Sequence, residues 1–151
     1  SLDIMTPYQD IVNNKSLSVN EKSEILKDEI ILVENIKRIF LLILGKAFEK
    51  YGPEIDKNQQ VLISLSDLAI EAYLSESTLK RTIKNIGRSS EDDQFDQINM
   101  TRLYIYEASQ VVQKKSRDLI NSIIDVNNQD DIYSSIIEKL SYSKNPNVFK
   151  N

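Results

Sequence analysis

The sequence predicts an all-α protein: an up-and-down antiparallel helical bundle of three long helices and one shorter helix. Three observations carry that expectation. Among 151 residues only three are Gly and three are Pro, so turns are few and elements long. The stretch Asn58 to Ile86 contains neither, and its apolar residues Val61, Leu65, Leu68, Ala72, Leu79, Ile83 and Ile86 recur at the steps of a helix with one buried stripe. The connections between periodic segments are short, which favours antiparallel neighbours. The Asn58–Ile86 stretch is the most regular, so the other helices are expected to pack on it.

In chain order, residues 1–17 read as a lead-in broken by Pro7 and by Asn13 and Asn14. The bundle itself is expected over 18–142. Ser18 and Glu21 have capping-box spacing and open a helix to about Tyr51, with a bend where Ser23 to Glu29 is polar. Gly52-Pro53 ends it. Its inner stripe is Leu26, Ile30, Val33, Phe40, Leu44, Ala47 and Tyr51. Leu32, Ile36, Ile39 and Ile43 form a second, adjacent stripe. Two stripes make the helix apolar over most of its circumference, so it is either central in its own bundle or covered by another domain or subunit. Ile36, Ile39, Phe40, Leu41 and Ile43 are the candidate interface.

Pro53, Glu54 and Asp56 suit the start of the next helix, which Gly87 closes. Ser90 and Asp93 are placed to cap a third helix that runs to Ile124, with Ile98, Ile105, Ala108, Val112, Leu119 and Ile123 inward. Asp125 to Asp131 reads as a loop, followed by a short helix over about Ile132 to Tyr142. Residues 143–151, with Pro146, read as a tail.

Composition excludes much chemistry. The net charge is −4 and the pI about 5.0, so the basic footprint of a nucleic-acid binder is missing. With no Cys there is no disulfide, thiolate metal site or Cys nucleophile, and a reducing, cytoplasmic setting fits. With no His, the commonest general base and the Glu-x-x-His di-iron signature are gone. The longest apolar run, Ile39 to Leu44, is far short of a membrane span. The chain does not begin with Met and is read as a piece of a longer protein.

The remaining polar clusters have plain readings beside sharper ones. Asp67, Glu71 and Glu76 could be metal ligands or an acid/base pair, but a carboxylate-only site binds Mg or Ca poorly unless several converge, and without His a di-iron or di-manganese site lacks its nitrogen ligands, so ion pairing explains them better. Glu76 lies near the apolar stripe, and Arg81 and Arg102 are its candidate partners in a structural ion pair that fixes register. Lys80, Arg81 and Lys84 fit helix-end electrostatics, with phosphate binding the alternative. Lys114, Lys115 and Arg117 fit a solvated face, with an anionic partner the alternative. Tyr51, Tyr73, Tyr104 and Tyr106 fit packing and rim positions. No catalytic, cofactor-binding or metal-binding residue is assigned.

Two segments, QQVLISLSDLAIEAYLSESTLKRTIKNIG and MTRLYIYEASQVVQKKSRDLINSI, carry a resemblance. The pattern of Gln60, Leu62, Ser66, Asp67, Ile70, Glu71, Tyr73, Glu76, Ser77, Leu79, Arg81 and Thr82 resembles the C-terminal helical region of the acyl-CoA dehydrogenase family. Tyr104, Tyr106, Glu107, Ala108, Ile120, Asn121 and Ser122 extend it, as does ENIKRIFLLILGKAFEKYG before it. The bacterial branch related to the very-long-chain type is the nearest in pattern. The resemblance implies a helical domain that docks on a dehydrogenase core, or on a second subunit in a homodimer, and has no catalytic role alone. The parent would be a flavoprotein that oxidises fatty acyl-CoA with FAD. No cofactor is implied in this chain, because the flavin site, acyl-CoA cavity and catalytic glutamate of that family lie upstream. The basic amphipathic segment linked to membranes in the mitochondrial branch has no counterpart here, since RSSEDDQFDQ is acidic, so membrane binding is not expected. A free-standing helical protein–protein interaction module is the alternative.

Overall fold

A computed structural model of the protein describes residues 24–88 and 90–141, and all regular structure among them is helical. The lead-in, the Ser18–Glu21 capping box and the tail from Tyr142 onward fall outside the described residues. Helix α1 spans Lys27–Tyr51. Glu24 and Ile25 precede it in helical conformation, and a turn at Leu26 interrupts the run. Leu26 is fully buried, and its carbonyl accepts the Ile30 N–H at 2.9 Å, which ties the interruption to the helix. The helix stops at Gly52, whose φ of 52° is open to glycine and strained for other residues.

Gly52–Lys57 forms a 3-10 turn, and α2 follows at Gln59–Asn85. Asn58 caps it: its Oδ1 accepts the Val61 N–H at 3.2 Å, an arrangement worth about 1 kcal/mol. All seven residues of the stripe read from the sequence are buried. Gly87, at φ 89°, turns the chain away. Helix α3 spans Glu91–Ile123, and Ser90 Oγ accepts the Asp93 N–H at 3.3 Å. Glu91, Asp92 and Asp93 crowd its first turn, where carboxylates complement the helix dipole.

Helix α4 corrects the sequence expectation. It spans Val126–Lys139, so the segment expected as a loop up to Asp131 is helical. Asp125 occupies the N-cap position in extended conformation, and Gln129 Nε2 reaches back to the Ile124 carbonyl at 2.7 Å. The Asn and Asp residues that suggested a turn thus lie at and just inside a helix start, a position that favours the same residue types.

Paired residues fix the directions. Lys37 of α1 meets Glu76 of α2, Thr82 of α2 bonds Thr101 of α3, and Asp67 meets Lys115. Asn35 of α1 donates to the Lys139 carbonyl of α4, and Arg117 of α3 lies over the Tyr133 ring. The helices therefore run up, down, up and down. Helix α1 touches all three others, whereas α4 packs on α3 and α1.

That central place of α1 corrects the candidate interface. Ile36, Ile39 and Ile43 are fully buried in the bundle's own core, and Phe40 is half-buried against it. Only Leu41, at 42% exposure, faces outward. The second apolar stripe exists because α1 is covered from both sides by its own neighbours.

Candidate functional site

Among the described residues, three ion pairs join one helix to another. The first centres on Glu76, whose carboxylate bonds Lys37 from α1 and Lys80 one turn further along α2, the latter at 3.3 Å. Burial pushes its carboxyl up, but the Lys37 hydrogen bond and charge, with those of Lys80, outweigh burial and hold it below the usual carboxylate range. The expected arginine partners are thereby replaced: Arg81 points to solvent, and Arg102 lies in a different cluster. The reason is helix rotation. Lys37 is on the flank of α1 that faces α2, a relation between two helices that spacing within one helix does not reveal.

The second contact is Glu29 with Arg102. Glu29 is 0% exposed, and Arg102 Nε lies 3.4 Å from its Oε1. Arg102 Nη2 also donates to the Ile25 carbonyl at 2.9 Å, beside the interruption at Leu26. Sequence reading missed Glu29, although a signal existed: it stands four residues before Val33 and seven before Ile36, on the buried side of α1.

The third lies on the outer seam of α2 and α3. Asp67 pairs with Lys115 at 3.0 Å. Burial, then the Asp67 charge, raises the Glu71 carboxyl, and burial followed by the Glu71 charge raises the Tyr104 hydroxyl. Asp67 and Glu76 thus sit in separate ion pairs, with Glu71 beside Asp67, and no group of three potential ligands able to hold a metal ion occurs among the described residues. Lys84, Lys114 and Arg117 are exposed. Of the tyrosines read as packing residues, Tyr51, Tyr104 and Tyr106 are half-buried and Tyr73 is exposed.

The arrangement can hold helices in register, and it offers surfaces. Ile63, Ile70, Tyr73 and Leu74 are exposed along α2, with Met100 and Val111 on α3. Leu41, Leu42 and Phe48 are exposed on α1. No described helix is long and apolar enough to cross a membrane.

The family model described as "Acyl-CoA dehydrogenase, C-terminal domain" matches residues 35–137, more than half of the chain. The chain belongs to this family. A curated relative, a probable acyl-CoA dehydrogenase of Bacillus subtilis (strain 168), is 28% identical over 96 residues, covering 64% of this chain and 16% of the relative. A crystal structure of an acyl-CoA dehydrogenase complexed with FAD from Bacillus anthracis matches with a TM-score of 0.72 and 24% identity, over 78% of this chain and 21% of that one. That likeness shows a shared fold. The domain therefore spans only about a fifth or less of the relatives it matches.

Proposed function

We propose that this domain, over residues 18–142, is the docking module of an FAD-dependent acyl-CoA dehydrogenase of the bacterial, very-long-chain-like branch, working in the cytoplasm. The observation that carries the reading is the family match over 35–137 in a chain that spans a small share of relatives named for the whole enzyme. The parent removes hydrogen from the α and β carbons of a fatty acyl thioester, and FAD takes the electrons. This domain supplies none of that chemistry. It packs on the dehydrogenase core through the apolar residues of α2 and α3, of which Ile63 and Ile70 are each 53% exposed.

Expression of the complete reading frame that encodes this chain tests the reading. Bound flavin that bleaches on addition of a long-chain acyl-CoA is the expected result. Purification of a full-length product without flavin, or flavin that ignores every acyl-CoA offered, would overturn it.

One observation favours a free-standing interaction module. Ile36, Ile39 and Ile43 are covered by the chain's own helices, so the bundle closes its main core without help. A reading frame that encodes this bundle and no dehydrogenase core would decide for that alternative.

A further inference from the structure

A cavity of about 430 Å³ opens where α1, the end of α3 and the start of α4 meet. That volume lies at the small end of ligand clefts, which run from about 300 to 1,000 Å³. Three chemistries line it. Ile123 is buried and Ile124 and Ile132 are half-buried, and together they form an apolar side. Lys50 brings a cation, and Asp125 and Asp131 bring anions. Lys46 and Glu49 also reach the rim, but at 3.5 Å they satisfy each other.

Two opposite charges thus share the cavity without meeting. Lys50 Nζ donates to the Ser122 carbonyl at 2.7 Å, which holds the ammonium beside the last turn of α3. An ammonium has three donors, and no carboxylate among the described residues pairs with this one. Asp125 stands three residues beyond Ser122, at the N-cap position of α4. Aspartate at that position ordinarily accepts an N–H from the first turn of its own helix, but this side chain caps nothing. It lines the cavity instead, and no cation among the described residues pairs with it. A molecule that carries both charges on an aliphatic body satisfies all three sides at once. Its carboxylate and ammonium make charge-assisted hydrogen bonds, and its hydrocarbon covers the isoleucines.

We propose that this cavity binds a free aliphatic α-amino acid. The ligand's carboxylate accepts from Lys50, its ammonium donates to Asp125 and Asp131, and its side chain lies on Ile124 and Ile132. The site makes no use of the apolar residues of α2 and α3, and it does not depend on the chemistry of the parent enzyme.

Calorimetry and thermal melts of the full chain with L-leucine test it. Titration to about 10 mM gives saturable one-to-one binding and a higher melting temperature. Isocaproate, which is leucine without its ammonium, and isoamylamine, which is leucine without its carboxylate, each bind roughly tenfold more weakly or worse, because each leaves one charge of the cavity unmet. Lys50→Met and Asp125→Asn each weaken L-leucine binding by roughly tenfold or more. Both side chains are exposed, so the unliganded variants melt close to the wild type and the loss reports on the site alone. Absence of L-leucine binding at that concentration overturns the proposal. So do analogues that bind as well as leucine, or variants that bind leucine as the wild type does.

Discussion

Glu29 and Arg102, 73 residues apart in the chain, meet 3.4 Å apart at the junction of α1 and α3, with the carboxylate wholly removed from solvent. A buried ion pair is a costly way to join two helices, because desolvation offsets much of the attraction. It is also selective, since Arg102 simultaneously satisfies the Ile25 carbonyl where the helix is interrupted. Arg102→Met is expected to destabilise the fold by roughly 3 kcal/mol in urea denaturation, because a fully buried carboxylate loses its guanidinium. The double variant Glu29→Leu with Arg102→Met recovers most of that loss. Equal losses in the single and double variants would show that packing, and not charge, is what Arg102 supplies.

Glu76 sets an acid limit on the α1–α2 contact. Its folded carboxyl titrates below the ordinary value of 4.5, since Lys37 and Lys80 outweigh burial. A depressed carboxylate contributes stability that is complete above the unfolded value and fades as pH falls through the folded one. At pH 7, Glu76→Gln is expected to cost about 1 kcal/mol, reduced by partial solvent screening. The gap between wild type and variant should close below the ordinary carboxylate range. A gap of unchanged size in acid would remove the lysine pairing as its cause.

Glu71 behaves in the opposite sense. Burial, then Asp67, raises its carboxyl, so the folded chain holds the carboxyl proton more tightly than the unfolded one. That preference favours folding below the unfolded value and is lost as pH rises through the folded one. Glu71→Gln should therefore raise stability near pH 7 by a few tenths of a kcal/mol, with no gain in acid. A thermal-melt series from pH 3 to roughly pH 7 reads both arms.

The α2 stripe, the Ser90 cap and the Gly52 and Gly87 stops were legible because each depends on neighbours in sequence. The start of α4 was not, since Asp125 and the Asn residues after it suit a helix start as well as a turn. Partners of Glu76 were hidden for a different reason: the choice of Lys37 over Arg81 follows from how α1 is rotated against α2. The same rotation decided which apolar residues of α1 were core. Periodicity found both stripes, but only the placement of α2, α3 and α4 around α1 turned Ile36, Ile39 and Ile43 inward.

Buried hydroxyls offer a route to a more stable bundle. Ser75 Oγ and Ser116 Oγ are buried without a hydrogen-bond partner, and each sits in a helix interior. An unsatisfied buried hydroxyl forfeits its hydration, and serine is a weaker helix former than alanine. Ser116→Ala should raise stability by roughly 0.5–1 kcal/mol, measured as a higher urea midpoint at unchanged slope. A loss would mean that the hydroxyl fills space the methyl leaves empty.

The division of α1 into core and outer face gives the widest contrast. Ile39 is 2% exposed and Leu41, two residues on, is 42% exposed. Ile39→Ala removes a branched side chain from a packed interior and is expected to cost about 2–5 kcal/mol, the lost transfer energy plus the cavity left behind. Leu41→Ala leaves no internal cavity, so its cost to the folded monomer should stay within about 1 kcal/mol. Denaturation at low protein concentration isolates the monomer's contribution. Similar losses at the two positions would mean that the outer face of α1 is packed against something as firmly as the inner one.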